Sequence, residues 1–177
     1  MPTHPARKAL LAGRDGWQVV TALGITGHQA IPSSVRDFVE SAIRDVLRDA
    51  EAPLCAVTSL AAGADQLFAA ELVRIGGRLH VIVPSRNYER TFASEDDLES
   101  FRLLLKAAQT VTRLDYSQPS EEAFLAAGRS VVDNCEVLIA VWDGKPAKGL
   151  GGTADVVGYA QDMGKPVRIL WPDGTVG

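Results

Sequence analysis

The sequence lacks a long apolar run, and no stretch approaches the roughly 20 residues that a membrane-spanning helix needs. The apolar stretch near the N-terminus is also too short for a signal peptide. Cysteine is scarce: the chain has two, Cys55 and Cys135, without the spacing of metal ligands. We therefore expect reduced cysteines that pack in the core, no metal site, no membrane partner and a cytoplasmic location.

An excess of basic residues is missing as well, because the formal net charge is -4. Proteins that bind duplexes usually present a basic face, so the charge gives no direct evidence for a nucleic-acid partner. The sequence also lacks the three-glycine dinucleotide fingerprint and the P-loop motif G-x-x-x-x-G-K-[ST]. These absences argue against the usual NAD dehydrogenases and P-loop kinases.

Apolar, strand-like segments alternate with amphipathic, helix-like segments along most of the chain. The strand-like segments are residues 17–25, 54–60, 79–83, 110–114, 137–142 and 167–171. This alternation predicts an α/β fold, a Rossmann-like doubly wound and mainly parallel sheet with helices on both faces. Residues 1–15 have no sustained periodicity and are expected to form a flexible arm, with a single domain over residues 16–177.

The most informative stretch is residues 137–159, where an apolar strand, a glycine-rich loop and a helix follow one another. We expect Thr153 to cap this helix by accepting a hydrogen bond from an N–H of the first turn. A helix N-terminus carries unpaired N–H groups and a partial positive charge, and glycines let a ligand approach the backbone. The stretch therefore predicts an anion site, although the glycines could equally serve only to shape a turn.

Two further loops, residues 24–29 and 59–65, also follow strands and carry small residues. The C-terminal ends of parallel strands share one edge of the sheet, so the three loops should meet there and bind a nucleotide-like small molecule. No cofactor is predicted with certainty beyond such a nucleotide or a phosphate. The candidate ligand-binding residues are Gly24, Thr26, Gly27, His28, Ser59, Gly63, Ala64, Asp65, Asp143, Gly144, Gly151, Gly152 and Thr153.

Three segments, GITGH (residues 24–28), SLAAGAD (59–65) and AVWDG…GGTA (140–154), resemble the SLOG superfamily. That superfamily is named for the DprA (SMF) and LOG proteins, and it includes YpsA-like proteins and molybdenum-cofactor carriers. The resemblance covers nearly all of residues 17–171 and implies a Rossmann-like domain that binds nucleotides or their derivatives through these loops. Enzymes of the LOG branch hydrolyse the N-glycosidic bond of nucleoside monophosphates with the glutamate of a P-G-G-x-G-T-x-x-E element.

The chain departs from the LOG element at that glutamate, because alignment on the Gly-Thr pair places Val156 there. Asp155 is one residue early, which on a helix is a rotation of about 100°. LOG-type hydrolysis is therefore not expected, and the leading hypothesis is a sensor or carrier domain for a nucleotide-derived ligand. An enzyme acting at an N-glycosidic bond remains the alternative, with Asp155, Asp143 and His28 as weak catalytic candidates.

Three smaller expectations complete the sequence analysis. Tyr88 and Trp142 are candidates for stacking on a base, although Trp142 also fits the core. A molybdopterin-type carrier is a further alternative, since the loop lysines could hold a phosphate. Finally, we expect a homo-oligomer, because folds of this kind often pair through their helices.

Overall fold

The computed structural model describes residues 9–13, 16–147 and 149–173 of the chain. The strands are β1 (Ala9–Gly13), β2 (Gly16–Gly27), β3 (Leu54–Thr58), β4 (Arg78–Val83), β5 (Thr110–Arg113), β6 (Val137–Val141) and β7 (Val167–Ile169). The helices are α1 (Ser33–Asp49), α2 (Ala64–Arg74), α3 (Glu95–Ala107), α4 (Glu121–Asp133) and α5 (Thr153–Asp162), with a short 3-10 helix at Tyr88–Thr91.

Six strands form one parallel sheet in the order β5-β4-β3-β2-β6-β7. The chain builds outward from β2 to β5 and then returns to the other side of β2 to add β6 and β7. The strand order therefore reverses between β2 and β6. This arrangement confirms the predicted Rossmann-like α/β fold. Ligands of such sheets bind beyond the C-terminal ends of the strands at the reversal, here β2 and β6.

Helices cover both faces of the sheet, and the strand side chains divide between the two sides with the period of a β-strand. In β2, Leu23 and Ile25 belong to the apolar cluster that includes the buried residues of α1, α2 and α3. Ala22 belongs to the second cluster, with most of the buried residues of α4 and with those of α5. The neighbouring strand β3 is buried along its whole length, as expected for a strand covered on both faces.

Strand β1 pairs antiparallel with the first half of β2, from Ala9 opposite Val20 to Gly13 opposite Gly16. The sequence did not predict this strand, which falls within the segment expected to form a flexible arm. Residues 1–8 and 14–15 of that segment lie outside the described residues. The Asp-Gly step at residues 15–16 is a hairpin signal that could have indicated the pairing.

Both cysteines are free and buried, which confirms their expected packing role. Burial raises the pKa of each thiol to about 11, so both are protonated and unreactive near neutral pH. Among the described residues, no helix combines the length and apolarity needed to cross a bilayer.

Candidate functional site

A cavity of about 570 Å³ lies at the edge of the sheet where β2, β3 and β6 end. All three loops singled out in the sequence contribute to its wall, so the expected convergence at one edge is observed. The residues they supply from the predicted set are Thr26, Gly27, His28, Ser59, Asp65, Gly151, Gly152 and Thr153. Five other candidates, Gly24, Gly63, Ala64, Asp143 and Gly144, are not among the described residues of the lining.

The glycines of the first two loops let the chain pack closely against itself. Ala64 donates its N–H to the carbonyl oxygen of His28 at 3.1 Å. Gly63 has a φ of +79°, and a Cβ there would meet the carbonyl oxygens of His28 and Gln29. A Cβ on Gly27 would lie 2.6 Å from Cβ of Ala64. These two positions therefore require glycine for loop packing, whatever ligand the cavity takes.

Gly24 has a similar structural explanation. It lies inside β2, paired with Val57 of β3 and with Leu138 of β6. A Cβ added to it would lie 2.7 Å from Sγ of Cys135, which packs on that face of the sheet. The structure thus accounts for this glycine by core packing, away from the cavity.

Asp65 links the SLAAGAD loop to the end of β3. Its carboxylate accepts hydrogen bonds from Oγ1 of Thr58 at 2.8 Å and from the N–H groups of Ser59 and Ala61. The side chain lines the cavity, yet the residue is only 5% exposed. Burial raises the pKa of Asp65 to about 7, and the three hydrogen bonds oppose that rise. A carboxyl that titrates near neutral pH can exchange a proton with a ligand.

Two partners in this loop had no sequence signal. Thr58 is fully buried, and its Oγ1 also accepts the N–H of Leu60 at 2.9 Å. Gln66 ties the loop to α3 by donating from Nε2 to the carbonyl oxygens of Leu60 and Asp97. Leu60 itself has a φ of +55°, a strained conformation for a leucine. The loop that carries Asp65 is therefore held on several sides, which fixes its carboxylate.

Helix α5 begins at the cavity wall, but not as the sequence predicted. The N-cap is Gly152, with an extended backbone and no side-chain cap, and Thr153 is the first helical residue. The predicted capping role of Thr153 is therefore wrong, because the helix starts one residue earlier than that role requires. Asp155 instead accepts the N–H of Gly151 at Oδ2, 2.9 Å away. Its carboxylate is thus engaged within its own loop.

The first turn of α5 nevertheless keeps free donors. Within the described part of the chain, the N–H groups of Gly152, Thr153 and Ala154 have no hydrogen-bond acceptor. Gly152 and Thr153 both line the cavity. Val156, one turn further on, also lines it and packs against Gly128 of α4. The position that the LOG resemblance assigns to a glutamate therefore borders the cavity with a hydrocarbon side chain.

His28 has the partner that the sequence could not identify. Its Nε2 lies 3.2 Å from Oδ1 of Asp143 and 3.3 Å from the backbone nitrogen of the same residue. The ring also contacts Trp171 edge-on, with centroids 5.0 Å apart. His28 lines the cavity with a side chain 31% exposed, so Asp143 and Trp171 orient an imidazole that a ligand can reach.

The Asp143 carboxylate beside this histidine is held as an anion. It accepts the backbone N–H of Lys145 at 3.1 Å, and Nζ of Lys145 lies 3.3 Å from its second oxygen. Burial of the carboxyl acts to raise its pKa, but Lys145 and His28 together hold the pKa below its usual value. Asp143 therefore holds the imidazole of His28 in place.

Much of the remaining cavity wall comes from segments in which the sequence predicted no site residue other than Tyr88. The 3-10 helix, the residue that follows it, α3 and α4 contribute Tyr88, Phe92, Asp97, Glu121 and Phe124. Tyr88, a predicted stacking residue, is only 5% exposed and packs edge-on against Phe92 and Phe124. Trp142 donates its indole N–H to the Lys145 carbonyl oxygen and packs against the core. No local motif marks these residues, because they follow the strands at irregular distances.

The fold and the cavity define a class: a Rossmann-like α/β protein with a ligand-sized cavity at the reversal of strand order. No family model and no curated protein matches the sequence. Solved structures do match, and they confirm that the chain has the fold expected from the resemblance, which is the fold found in DprA. At these low identities the likeness establishes the fold alone.

Two of the similar structures are DNA processing protein A (DprA). The one from Streptococcus pneumoniae is 19% identical, with a TM-score of 0.62, and the match covers 85% of this chain and 50% of that chain. The one from Helicobacter pylori is 16% identical, with a TM-score of 0.63, covering 84% and 64%. A third, TM1055, is 16% identical with a TM-score of 0.52, covering 83% and 72%. This chain thus spans half to two thirds of the DprA chains.

Proposed function

We propose that the chain binds a nucleotide or nucleotide-derived small molecule in the cavity, as a sensor or carrier domain. The observation that carries this proposal is the cavity at the strand reversal. Gly152 and Thr153 line it, and their N–H groups have no acceptor among the described residues. Its volume suits a small ligand, and a helix N-terminus suits a phosphate. Asp143 and Asp155 are both bonded within their own loops, so we favour binding over cleavage at an N-glycosidic bond.

Thermal unfolding in the presence of AMP, ADP-ribose, NAD and cyclic nucleotides tests this proposal. A ligand at a hundred times its Kd adds about 2.7 kcal/mol to the free energy of unfolding, which is readily measured. We expect at least one of these compounds to raise the melting temperature in a saturable way. If none of them does so, and none binds in calorimetry, the proposed function is wrong.

Thr153→Pro should weaken AMP binding and leave the fold intact. Proline removes the N–H of the first helical residue, a position that it otherwise favours, and the extended Gly152 tolerates a following proline. Loss of one hydrogen bond to a charged group costs about 1.5–3 kcal/mol, so we expect the Kd to rise about tenfold to a hundredfold.

Thr153→Ala is the matched control for that variant, because it removes the side chain and keeps the N–H. Isothermal titration calorimetry gives the Kd, and denaturant unfolding checks that both variants are folded. Equal Kd values for the proline variant and the wild type would mean that the ligand does not use this N–H. An equal rise of the Kd in both variants would assign the contact to the threonine side chain instead.

Single-stranded DNA is a second candidate ligand, at a different place. The structure of the Helicobacter pylori protein is described by its single-stranded DNA binding mode. In this chain, Arg86, Arg90 and Arg113 line a second pocket of about 330 Å³ near the ends of β4 and β5. Arginine is well suited to phosphate, so this pocket supports the candidate despite the net negative charge of the chain.

Fluorescence anisotropy with a labelled oligothymidylate of about 30 nucleotides measures this binding, at salt concentrations from about 50 to about 200 mM. The double variant Arg90→Ala/Arg113→Ala should bind more weakly and lower the salt slope by about 1.4, since each phosphate contact contributes about 0.7 for single strands. Arg48→Ala is the control, because Arg48 lies in the last turn of α1 and does not line the second pocket. The DNA candidate is rejected if the wild type fails to bind at low salt or if the double variant binds as well as Arg48→Ala.

A further inference from the structure

The hydroxyl group of Tyr88 is the part of that side chain that the fold leaves unused. The ring packs edge-on against Phe92, Phe101 and Phe124, with centroids 5.5, 5.6 and 6.3 Å away. With the residue only 5% exposed, a ring enclosed in this way offers no open face on which a base could stack. Any contact between Tyr88 and a ligand must therefore be made by the hydroxyl.

That hydroxyl has no hydrogen-bond partner among the described residues. It is not sealed in either, because the one fully enclosed and unpaired side-chain nitrogen or oxygen in the described part of the chain is Oγ of Ser85. Oη of Tyr88 therefore faces open space, and Tyr88 lines both the cavity and the second pocket. Since a buried hydroxyl without a partner is costly, one that opens on a cavity is suited to a ligand.

Asp65 indicates that the hydroxyl points into the cavity. Its carboxyl borders the cavity and not the second pocket. Burial raises the pKa of the Tyr88 phenol, and the charge of the nearby Asp65 raises that pKa further. Between these two described residues there is an electrostatic interaction but no hydrogen bond. The two groups therefore leave a gap that a third polar group can bridge.

A hydroxyl group has the chemistry that fits this gap. Asp65 already accepts three hydrogen bonds within its loop, and an ionised carboxylate has about four acceptor positions, so one position remains. The Tyr88 phenol keeps its proton and can donate it. A ligand hydroxyl can accept from Tyr88 and donate to Asp65 at the same time, whereas a carbonyl group only accepts and an amino group only donates.

From this arrangement we propose that Tyr88 and Asp65 together bind a ribose hydroxyl of the ligand, with Tyr88 donating and Asp65 accepting. The inference rests on the proposed function, since it takes the ligand to be a nucleotide or a derivative of one. It gives Tyr88 a role that differs from the base stacking for which the sequence singled it out. The pair lets the cavity distinguish a ribose from a deoxyribose.

Calorimetric titration with AMP and with its 2′-deoxy and 3′-deoxy forms tests this inference. A buffer at about pH 8 keeps Asp65, whose pKa is about 7, mostly ionised. We expect one of the deoxy compounds to bind the wild type about tenfold more weakly than AMP, because it leaves both side chains without their partner. Tyr88→Phe removes only the hydroxyl, so it should raise the Kd of AMP about twofold to tenfold and leave the Kd of that deoxy compound unchanged.

Tyr159→Phe is the matched control for that variant. It makes the same change at a tyrosine whose hydroxyl donates to Oδ1 of Asp133 at 2.9 Å and which is outside the described lining of the cavity. It should bind AMP and both deoxy compounds as the wild type does. Denaturant unfolding checks that both variants are folded.

The outcomes separate this inference from the proposed function. If Tyr88→Phe binds AMP as tightly as the wild type, or weakens AMP and both deoxy compounds equally, the assignment of Tyr88 to the ribose is overturned and nucleotide binding stands. The same conclusion follows if neither deoxy compound binds the wild type more weakly than AMP. If AMP does not bind at all, the inference fails, and the proposed function fails with it only if ADP-ribose, NAD and the cyclic nucleotides do not bind either.

Discussion

Gly63→Ala is expected to lower the free energy of unfolding by about 2–6 kcal/mol and to abolish ligand binding. The backbone at Gly63, with a φ of 79° and a ψ of -119°, lies in a region that other residues rarely adopt, and it costs an alanine about 1–3 kcal/mol. The new methyl group would also collide with the carbonyl oxygens of His28 and Gln29, and overpacking of this kind adds about 1–3 kcal/mol. Denaturant unfolding gives the change, and thermal shift with AMP reports the binding.

The collision can be separated from the backbone strain by a second glycine. Gly76 has the same φ of +79°, but a Cβ there would meet nothing within 4 Å. Gly76→Ala should therefore show only the strain, a loss of about 1–2 kcal/mol, with binding retained. If the two variants lose the same stability, the close approach between the first two loops does not matter energetically, and the packing explanation for Gly63 is wrong.

Asp65→Asn is expected to remove a large pH dependence of stability. The folded pKa of Asp65, about 7, lies above the value of 3.8 for an unperturbed carboxyl. Between these values the folded protein holds a proton that the unfolded chain has released, so the free energy of unfolding falls as the pH rises. At about 1.4 kcal/mol per pH unit, this group accounts for a fall of about 4 kcal/mol across that window.

The asparagine cannot ionise, so the variant should gain stability relative to the wild type as the pH rises from about 4 to about 8. Urea unfolding at a series of pH values measures this difference. Asp96→Asn, an exposed acid in the first turn of α3, shows how much any replacement of a carboxylate by an amide contributes. A difference between Asp65→Asn and the wild type that stays constant over this range would show that Asp65 is ionised throughout.

The same carboxyl links stability to binding. Asp65 lines the cavity and closes the SLAAGAD loop through Thr58, Ser59 and Ala61. A ligand that donates a hydrogen bond to Asp65 would favour its ionised form, whereas one that accepts a bond would favour the protonated form. The pH at which AMP binds most tightly would therefore report which of these contacts is made.

The sequence by itself determined the fold class and the order of most elements. Apolar runs such as residues 137–142 and amphipathic helices such as α1 carry their periodicity locally, so strand and helix can be assigned without knowing their neighbours. The sequence also predicted the edge on which the three loops meet, because the C-terminal ends of parallel strands lie on the same side of the sheet. Strand β1 was not predicted, because its apolar run is short and it forms a strand by pairing with β2.

Only the tertiary structure decided which side chains meet. His28 and Asp143 are 115 residues apart, and they come together because β2 and β6 are neighbours in the sheet. Asp97 and Glu121 reach the cavity from helices that the loop motifs do not mention. Contacts of this kind depend on strand order and on the path of the returning chain, which local periodicity does not encode. The sequence therefore determined where the three loops of the candidate site meet, and the packing of distant elements decided the charge and shape of the cavity between them.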